Sequence, residues 1–437
     1  MAQSELDTIV APATPLGRGA LAIVRIDGPR SGGILEKLGG ISSEARIATL
    51  AQLSLDGEPL DECIAIRYAA PHSFTGNDLV ELTLHGSPLL VERVIAAIIA
   101  CGARLAEPGE FTERAVLNGK LDLVQAESIA DLINSRTALQ AKLSLGNLHG
   151  VLSRRAAAVR ESLLHVISRL EAALDFSEEG YEFITREEAH HKIERAIADT
   201  AELAKTYRRG RATTRGLSVV ILGRPNAGKS SLLNRLVGSD AAIVTPIPGT
   251  TRDIVREMIE IGGLPVMISD TAGLRMSGDL VEEIGVRLAR DAAANADINL
   301  YLIDATVGLT RDDHLDAFPG AIIIYTKIDL AAAPAGAFGI SVTAELGIVN
   351  LLKMLDELVR EGFAAPEGSL VNSRQYQAVL GCKEALATAL MSLDDGFDEP
   401  VVLVDLYRAA TSLGLLTSAI TQEHVFTEIF SKFCIGK

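Results

Sequence analysis

The chain has no tryptophan, and seven tyrosines and eleven phenylalanines bring aromatics to only 4% of 437 residues. That disfavours an aromatic-rich sandwich. With 48% hydrophobic residues, the interior has to come from aliphatic side chains, which favours helices. Cysteine is scarce too: Cys63, Cys101, Cys382 and Cys434 stand far apart with no CxxC or CxxH spacing. A disulfide framework and a zinc site are thereby excluded, and a reducing compartment fits. Positive charge is in deficit, with 41 Lys and Arg against 57 Asp and Glu, a formal net charge of -16. Such a chain does not hold a polyanion by itself, so any RNA contact must be local or assisted. No basic segment leads into an apolar stretch at the start, and no uninterrupted apolar run approaches the roughly 20 residues that span a bilayer. The expectation is a cytoplasmic protein with no membrane association.

Length points to roughly two to three domains. From Thr8 to about residue 118, short apolar runs mix with turn residues. Ala20 to Ile26 and Asp78 to Leu84 read as strands and Leu89 to Ala100 as a helix, an α+β region. The turn Gly17-Arg18-Gly19 is a candidate backbone phosphate nest. From Leu121 to Lys205 apolar residues recur three or four apart, as at Leu163, Val166, Ile167 and Leu170, and the same pattern returns from Ser373 to Phe433. The two stretches are expected to form one discontinuous helical bundle. Between them Leu217 to Leu222, Val266 to Ser269, Ile298 to Ile303 and Ala321 to Tyr325 read as strands alternating with helices, an inserted α/β domain with a mostly parallel sheet. The expected division is 1–118, 119–214, 215–365 and 366–437. One basic cluster, Arg208, Arg209, Arg211 and Arg215, precedes the first strand of the insert and reads as a solvated interdomain linker.

Gly223-Arg224-Pro225-Asn226-Ala227-Gly228-Lys229-Ser230 is a G-x-x-x-x-G-K-[ST] loop in the required setting, after a strand and before the helical run Ser231 to Leu236. Its amides wrap phosphate, Lys229 faces the β- and γ-phosphates, and the Ser230 hydroxyl can ligate Mg²⁺. Gly249-Thr250-Thr251-Arg252-Asp253, Asp270-Thr271-Ala272-Gly273 and Thr326-Lys327-Ile328-Asp329 follow in the order of a guanine-nucleotide fold. Asp270 can hold Mg²⁺ through water, the Gly273 amide can meet the γ-phosphate, and Asp329 can accept from the guanine N1 and N2 donors. Thr326 stands where asparagine is usual, so the amide that steadies neighbouring loops is missing and weaker nucleotide affinity is expected. Ser341-Val342-Thr343 replaces the usual Ser-Ala-Lys of a fifth motif. Leu274 follows the Asp-Thr-Ala-Gly run, so another group must orient water. Asp279, Glu282 and Glu283 are the nearest carboxylates, each equally readable as a helix-start acid.

These motifs, with Pro248 ahead of Gly249, resemble the TrmE-Era-EngA-like potassium-activated GTPases. The split helical region and the terminal Phe433-Cys434-Ile435-Gly436-Lys437 resemble the MnmE (TrmE) branch, the tRNA wobble-uridine modification GTPases. The resemblance covers essentially the whole chain and implies a P-loop G domain inserted into a helical domain. It implies K⁺ on Asn226, Thr245, Ile247 and Thr250, within a nucleotide set of Asn226 to Ser231, Thr245, Pro246, Ile247, Pro248, Gly249, Thr250 and Thr251, and Thr251 completing the Mg²⁺ shell. Glu282 becomes the water-orienting carboxylate. The N-terminal region is similar to the tetrahydrofolate-binding fold of glycine-cleavage T-proteins, implying a 5-formyltetrahydrofolate-type ligand on Arg25, Glu81, Lys120 and Lys437. Cys434 becomes a candidate in the modification step. The resemblance further implies a homodimer and a heterotetramer with an MnmG-type FAD protein that acts on tRNA. Rival readings are a ribosome-assembly GTPase switch and a folate-dependent transferase with a regulatory G domain. The chain departs from the family at Gln422, where a glycine is usual, and in a short 420–429 segment.

Overall fold

The computed structural model describes residues 7–42, 44–176, 183–238, 256–270, 290–313, 315–417, 429–430, 433 and 436. They fall into two units, Met1–Ala130 with Gly414–Lys437, and Asp131–Leu413. The architecture is multidomain, α+β in the first unit and α/β plus helices in the second.

The first unit is a six-stranded sheet. Its elements are β1 (Ile9–Pro12), β2 (Leu21–Asp27), α1 (Ser31–Gly39), β3 (Ala48–Leu55), β4 (Glu58–Tyr68), β5 (Leu79–His85), α2 (Pro88–Ala100), β6 (Arg104–Leu105) and α3 (Glu110–Leu117), followed by α4 (Leu123–Ile133). The order β3-β4-β5-β2-β1-β6 is antiparallel except for β1 with β6. Period-2 alternation sends Ala22, Val24 and Ile26 to one face, where Ile34, Leu35 and Leu38 of α1 and Val94 and Ile98 of α2 complete a core. Arg25, Glu81 and Tyr68 belong to the other face. Leu50 and Ile64 also lie there, opposite one another across β3 and β4, and remain 59% and 37% exposed. In the Gly17–Gly19 turn the Gly19 amide donates to Gly86 O at 2.9 Å, so that amide is engaged within the sheet edge.

Arg114 on α3 is buried with carboxylates around it. It donates to Asp27 (2.9 Å), Glu110 (2.8 Å) and Asp7 (2.9 Å), and Arg104 holds Glu110 and Asp7 from the other side. Asp27 is fully buried and also accepts from Asn77 at 3.0 Å and from the Thr75 hydroxyl, which fastens the 69–78 loop beneath the sheet.

The second unit opens with α5 (Ala138–Leu148), started by a reciprocal capping box between Thr137 and Gln140. Then come α6 (Val151–Asp175) and α7 (Arg186–Arg215). The Arg208–Arg215 cluster is no linker. It forms the last turns of α7, where Arg209 caps the Glu361 carbonyl at 3.0 Å and Arg208 lies over the Phe363 ring. A five-stranded sheet follows, made of β7 (Leu217–Gly223), β8 (Arg256–Ile261), β9 (Leu264–Asp270), β10 (Ile298–Asp304) and β11 (Ile322–Thr326), in the order β11-β10-β7-β9-β8. All neighbours are parallel except the β8–β9 hairpin, which turns at Gly262-Gly263, both at positive φ. α8 (Lys229–Val237) and α9 (Ile348–Phe363) cover one face with Leu232, Leu236, Leu351 and Leu355. The chain returns through α10 (Ser373–Asp394), which packs along α7 with Tyr376 stacked on Tyr207 at 4.4 Å, and through α11 (Glu399–Thr417). Among the described residues, α11 alone is long and apolar enough to cross a bilayer by length and composition, and half of that stretch is buried in protein.

The carboxylates around Arg114 set how the first unit responds to acid. The side-chain bond from Arg104 holds Asp7 below its ordinary 3.8. Burial would raise Glu110, but bonds from Arg104, the Glu107 amide and Arg114 outweigh it and hold that carboxyl below 4.5. Their stabilisation is therefore full above the ordinary values and disappears as pH falls through the lowered ones. Glu113, raised by burial and by Glu110 and Glu107, opposes this in part. Thermal melting of the first unit should stay level from neutral pH to about pH 5 and fall steeply below about pH 4. Arg114→Met, which leaves buried Asp27 uncompensated, should cost about 3–5 kcal/mol at pH 7. A variant melting like the wild type at pH 7 would show that the cluster carries no such energy.

Candidate functional site

Strand β7 ends at Gly223, where φ is 134° and a Cβ would sit 2.4 Å from the Leu302 carbonyl of β10. Only glycine fits that approach. The loop then turns through Asn226 (φ 64°) to Gly228 (φ 88°), which caps α8, so the first free amides of the helix point into the loop. Lys229 is 7% exposed and folds back so that Nζ donates to the carbonyls of Gly223 (2.8 Å) and Arg224 (2.7 Å), which puts its charge at the mouth of the loop. Asn226 is exposed there.

The Ser230 hydroxyl donates to Asp270 Oδ2 at 2.6 Å, joining the start of α8 to the end of β9, the strand beside β7. A hydroxyl and a carboxylate, both hard oxygen donors, are what Mg²⁺ takes alongside phosphate and water, so Ser230 and Asp270 fit that ion. Two strands away, β11 ends in Thr326, whose buried hydroxyl donates to the Ala227 carbonyl of the loop at 2.9 Å. The side-chain tie expected to be lost with the asparagine is thus present, made by a hydroxyl in place of an amide. Lys327 (φ 59°) pairs with Asp304 at 2.5 Å, and Asp329 is exposed beyond it. Burial would raise Asp304, but Lys327 and the Thr306 hydroxyl and amide hold it below the usual carboxylate range. The 341–346 turn is closed by reciprocal backbone bonds between Ser341 and Leu346. Ser341 is buried, Val342 is half-buried and Thr343 is exposed, while Arg235 of α8 reaches Glu345 at 3.0 Å. The phosphate loop, Asp270 and the Thr326–Asp329 run all lie at the carboxyl ends of parallel strands.

Thr245, Pro246, Ile247, Pro248, Gly249, Thr250, Thr251, Thr271, Ala272, Gly273, Glu282, Cys434 and Lys437 lie outside the described residues, so nothing is placed for them.

In the first unit Arg25 and Glu81 are direct cross-strand partners, with Arg25 Nε 2.8 Å from Glu81 Oε1. Sequence reasoning missed two neighbours. The Tyr68 hydroxyl donates to Glu81 Oε2 at 3.3 Å, and the Arg25 guanidinium lies over the Phe74 ring at 5.5 Å. Burial, and after it Glu81, push the Tyr68 phenol up, so it stays a neutral donor. Both carboxylate oxygens of Glu81 are held, each keeping a further lone pair. The Lys120 Nζ donates to the Pro71 carbonyl at 3.1 Å and so ties down the loop that carries Phe74. Asn118 does the same at Thr75 O (2.7 Å). The pairing of Arg25 and Glu81 became predictable once β2 and β5 were set side by side; Phe74 had no such signal.

Two family models match in tandem, the GTP-binding protein TrmE N-terminus over residues 8–120 and the MnmE helical domain over residues 123–434. The chain belongs to the MnmE family. Relatives called tRNA modification GTPase MnmE include that of Koribacter versatilis, 40% identical over 450 residues and 99% of both chains. Those of Symbiobacterium thermophilum (40%, 99% of both chains) and Aquifex aeolicus (39%, 99% of this chain and 100% of the relative) are alike. Membership in the MnmE family makes the chain a GTP hydrolase.

Proposed function

We propose that the protein is the GTP-hydrolysing component of a tRNA wobble-uridine C5 modification complex. With an MnmG-type FAD protein it adds an aminomethyl or carboxymethylaminomethyl group, using a formyltetrahydrofolate-type one-carbon donor. The observation that carries this is the presence in one chain of a guanine-nucleotide site and of a second site, Arg25–Glu81 with Tyr68 and Phe74, that suits a flat heterocycle with paired N–H donors. A binding switch without covalent chemistry has no use for the second. The exposed pair Leu50 and Ile64 supports dimerisation of the first units, and the acidic balance supports leaving much of the tRNA surface to the partner.

In the G domain Ser230 and Asp270, with Thr251, would hold Mg²⁺, which when bound would supply positive charge to offset that of the phosphates. Lys229 leaves its two carbonyls for phosphate oxygens, and the α8 amides receive the rest of the charge. Asn226, already exposed at the loop's turn, would take K⁺ together with Thr245, Ile247 and Thr250. Glu282 orients the attacking water, and two G domains meet during the cycle. In the first unit Arg25, Glu81 and Lys120, with Lys437, receive the folate, and Cys434 acts in the modification step.

Mass spectrometry of tRNA wobble nucleosides from a deletion strain should show the C5 modification lost and then restored by the wild-type gene. An unchanged profile would favour a ribosome-assembly switch. GTP hydrolysis should run at least about tenfold faster in KCl than in NaCl if the ion stabilises transition-state charge, and equal rates would exclude K⁺. Calorimetric titration of 5-formyltetrahydrofolate should show Glu81→Gln binding about tenfold to a hundredfold more weakly than wild type, the cost of losing charge-assisted hydrogen bonds. Equal affinity would remove the folate assignment.

A further inference from the structure

Residue 326 opens the base-recognition motif, and its side chain has a single proton to give. Thr326 is 3% exposed, and its hydroxyl lies 2.9 Å from the Ala227 carbonyl, against 3.3 Å for the alternative acceptor, Ile303 O. A Cβ on Gly228 would stand 3.9 Å from Thr326 Cβ and Cγ2, so the side chain also packs beneath the next residue of the loop. An asparagine carries a carbonyl and two N–H donors, enough to hold a loop and still donate to a ligand. A threonine can do one of these, and here it holds the loop.

We propose that Thr326 is a positioning residue that fastens the base-recognition motif to the phosphate loop, and that this division of labour sets how the base is read. With its proton committed to Ala227, Thr326 gives nothing to the acceptor edge of guanine, where N7 and O6 lie. Selection falls on the donor edge, where the exposed carboxylate of Asp329 accepts from N1–H and the 2-amino group. The enzyme is therefore indifferent to N7 and sensitive to the exocyclic amine. The inference rests on the GTPase activity and on Asp329 as the carboxylate that reads guanine, and is independent of the folate, potassium and tRNA assignments.

The test is steady-state hydrolysis by the full-length protein with three nucleotides: GTP, 7-deaza-GTP (N7 replaced by C–H) and ITP (no 2-amino group). Wild-type KM for 7-deaza-GTP should fall within about twofold of that for GTP, and KM for ITP should be about tenfold or more higher, the usual cost of a missing hydrogen bond to a charged group. Thr326→Val, which leaves the Ala227 carbonyl unpaired, should raise KM for GTP and 7-deaza-GTP alike by about tenfold, a larger change than any fall in kcat. Thr326→Ser should recover most of that loss, and Thr326→Asn should create a preference for GTP over 7-deaza-GTP that the wild type lacks. A general structural role would move all three nucleotides together and would not create that preference. The proposal is overturned if the wild type already prefers GTP to 7-deaza-GTP by tenfold, or if Thr326→Val keeps the wild-type KM. The wild-type comparison needs no variant, so it decides the question even if Thr326→Val fails to fold.

Discussion

The close approach of two backbones, Gly223 of β7 to the Leu302 carbonyl of β10, is the constraint on which the nucleotide site depends. Parallel strands lie about 4.8 Å apart, and a strand that has to end in a phosphate loop must leave its sheet abruptly. A side chain at 223 would force β7 from β10 or carry the loop away from the sheet edge. Because Gly223 has none, the next six residues are placed without slack: the loop curls over its own carbonyls, Lys229 plugs them, and the first turn of α8 sets Ser230 against Asp270 of β9. Thr326 then closes the arrangement from the far side of β10. The loops after three strands thus meet at one edge of the sheet, where open α/β sheets bind ligands.

Much of that edge was legible in the sequence because its parts are short contiguous motifs at strand ends. The apolar runs at 217–222 and 298–303 become β7 and β10 almost unchanged. β8 was overlooked although its signal was present: Ile259 and Ile261 flank Glu260, and Gly262-Gly263 is a hairpin turn. The arginine cluster was misread for a more basic reason. The inward face of α7 there consists of Gly210, Ala212 and Thr213, too small to register as a hydrophobic stripe, while the arginines dominate the composition. What makes those positions structural is their partners about 150 residues away, which no local pattern can reveal.

The same limit explains the first unit. The family resemblance named Arg25 and Glu81, but not what surrounds them. Tyr68 and Phe74 gain meaning only when β4 is set beside β5 and the 69–78 loop folds over Arg25. Lys120 shows the same. Its charge and position stand out in the sequence, but not its bond to the loop carbonyl of Pro71, which helps fix where Phe74 stands. Charge and position identify a residue as useful; only the hydrogen bond says for what.

Within the second unit, the way the chain enters and leaves the G domain bears on how nucleotide state could be felt beyond it. One residue, Gly216, separates α7 from β7, and a Cβ there would meet the Pro265 carbonyl at 2.7 Å, so the junction has little room to bend independently. The exit is equally tied: the Thr213 hydroxyl bridges Phe363 O and the Ala365 amide, Thr206 receives the Leu370 amide, Asn147 holds Ser369 O and Arg155 holds Gly368 O. A flexible tether would absorb a displacement of β7, whereas bonds on both strands of the junction oblige α7 and the 364–371 segment to move with it or break. Because β7 carries the phosphate loop and α7 is one of the longest helices of the unit, the shortest mechanical path out of the nucleotide site runs along covalent structure and buried hydrogen bonds, not across a solvated hinge.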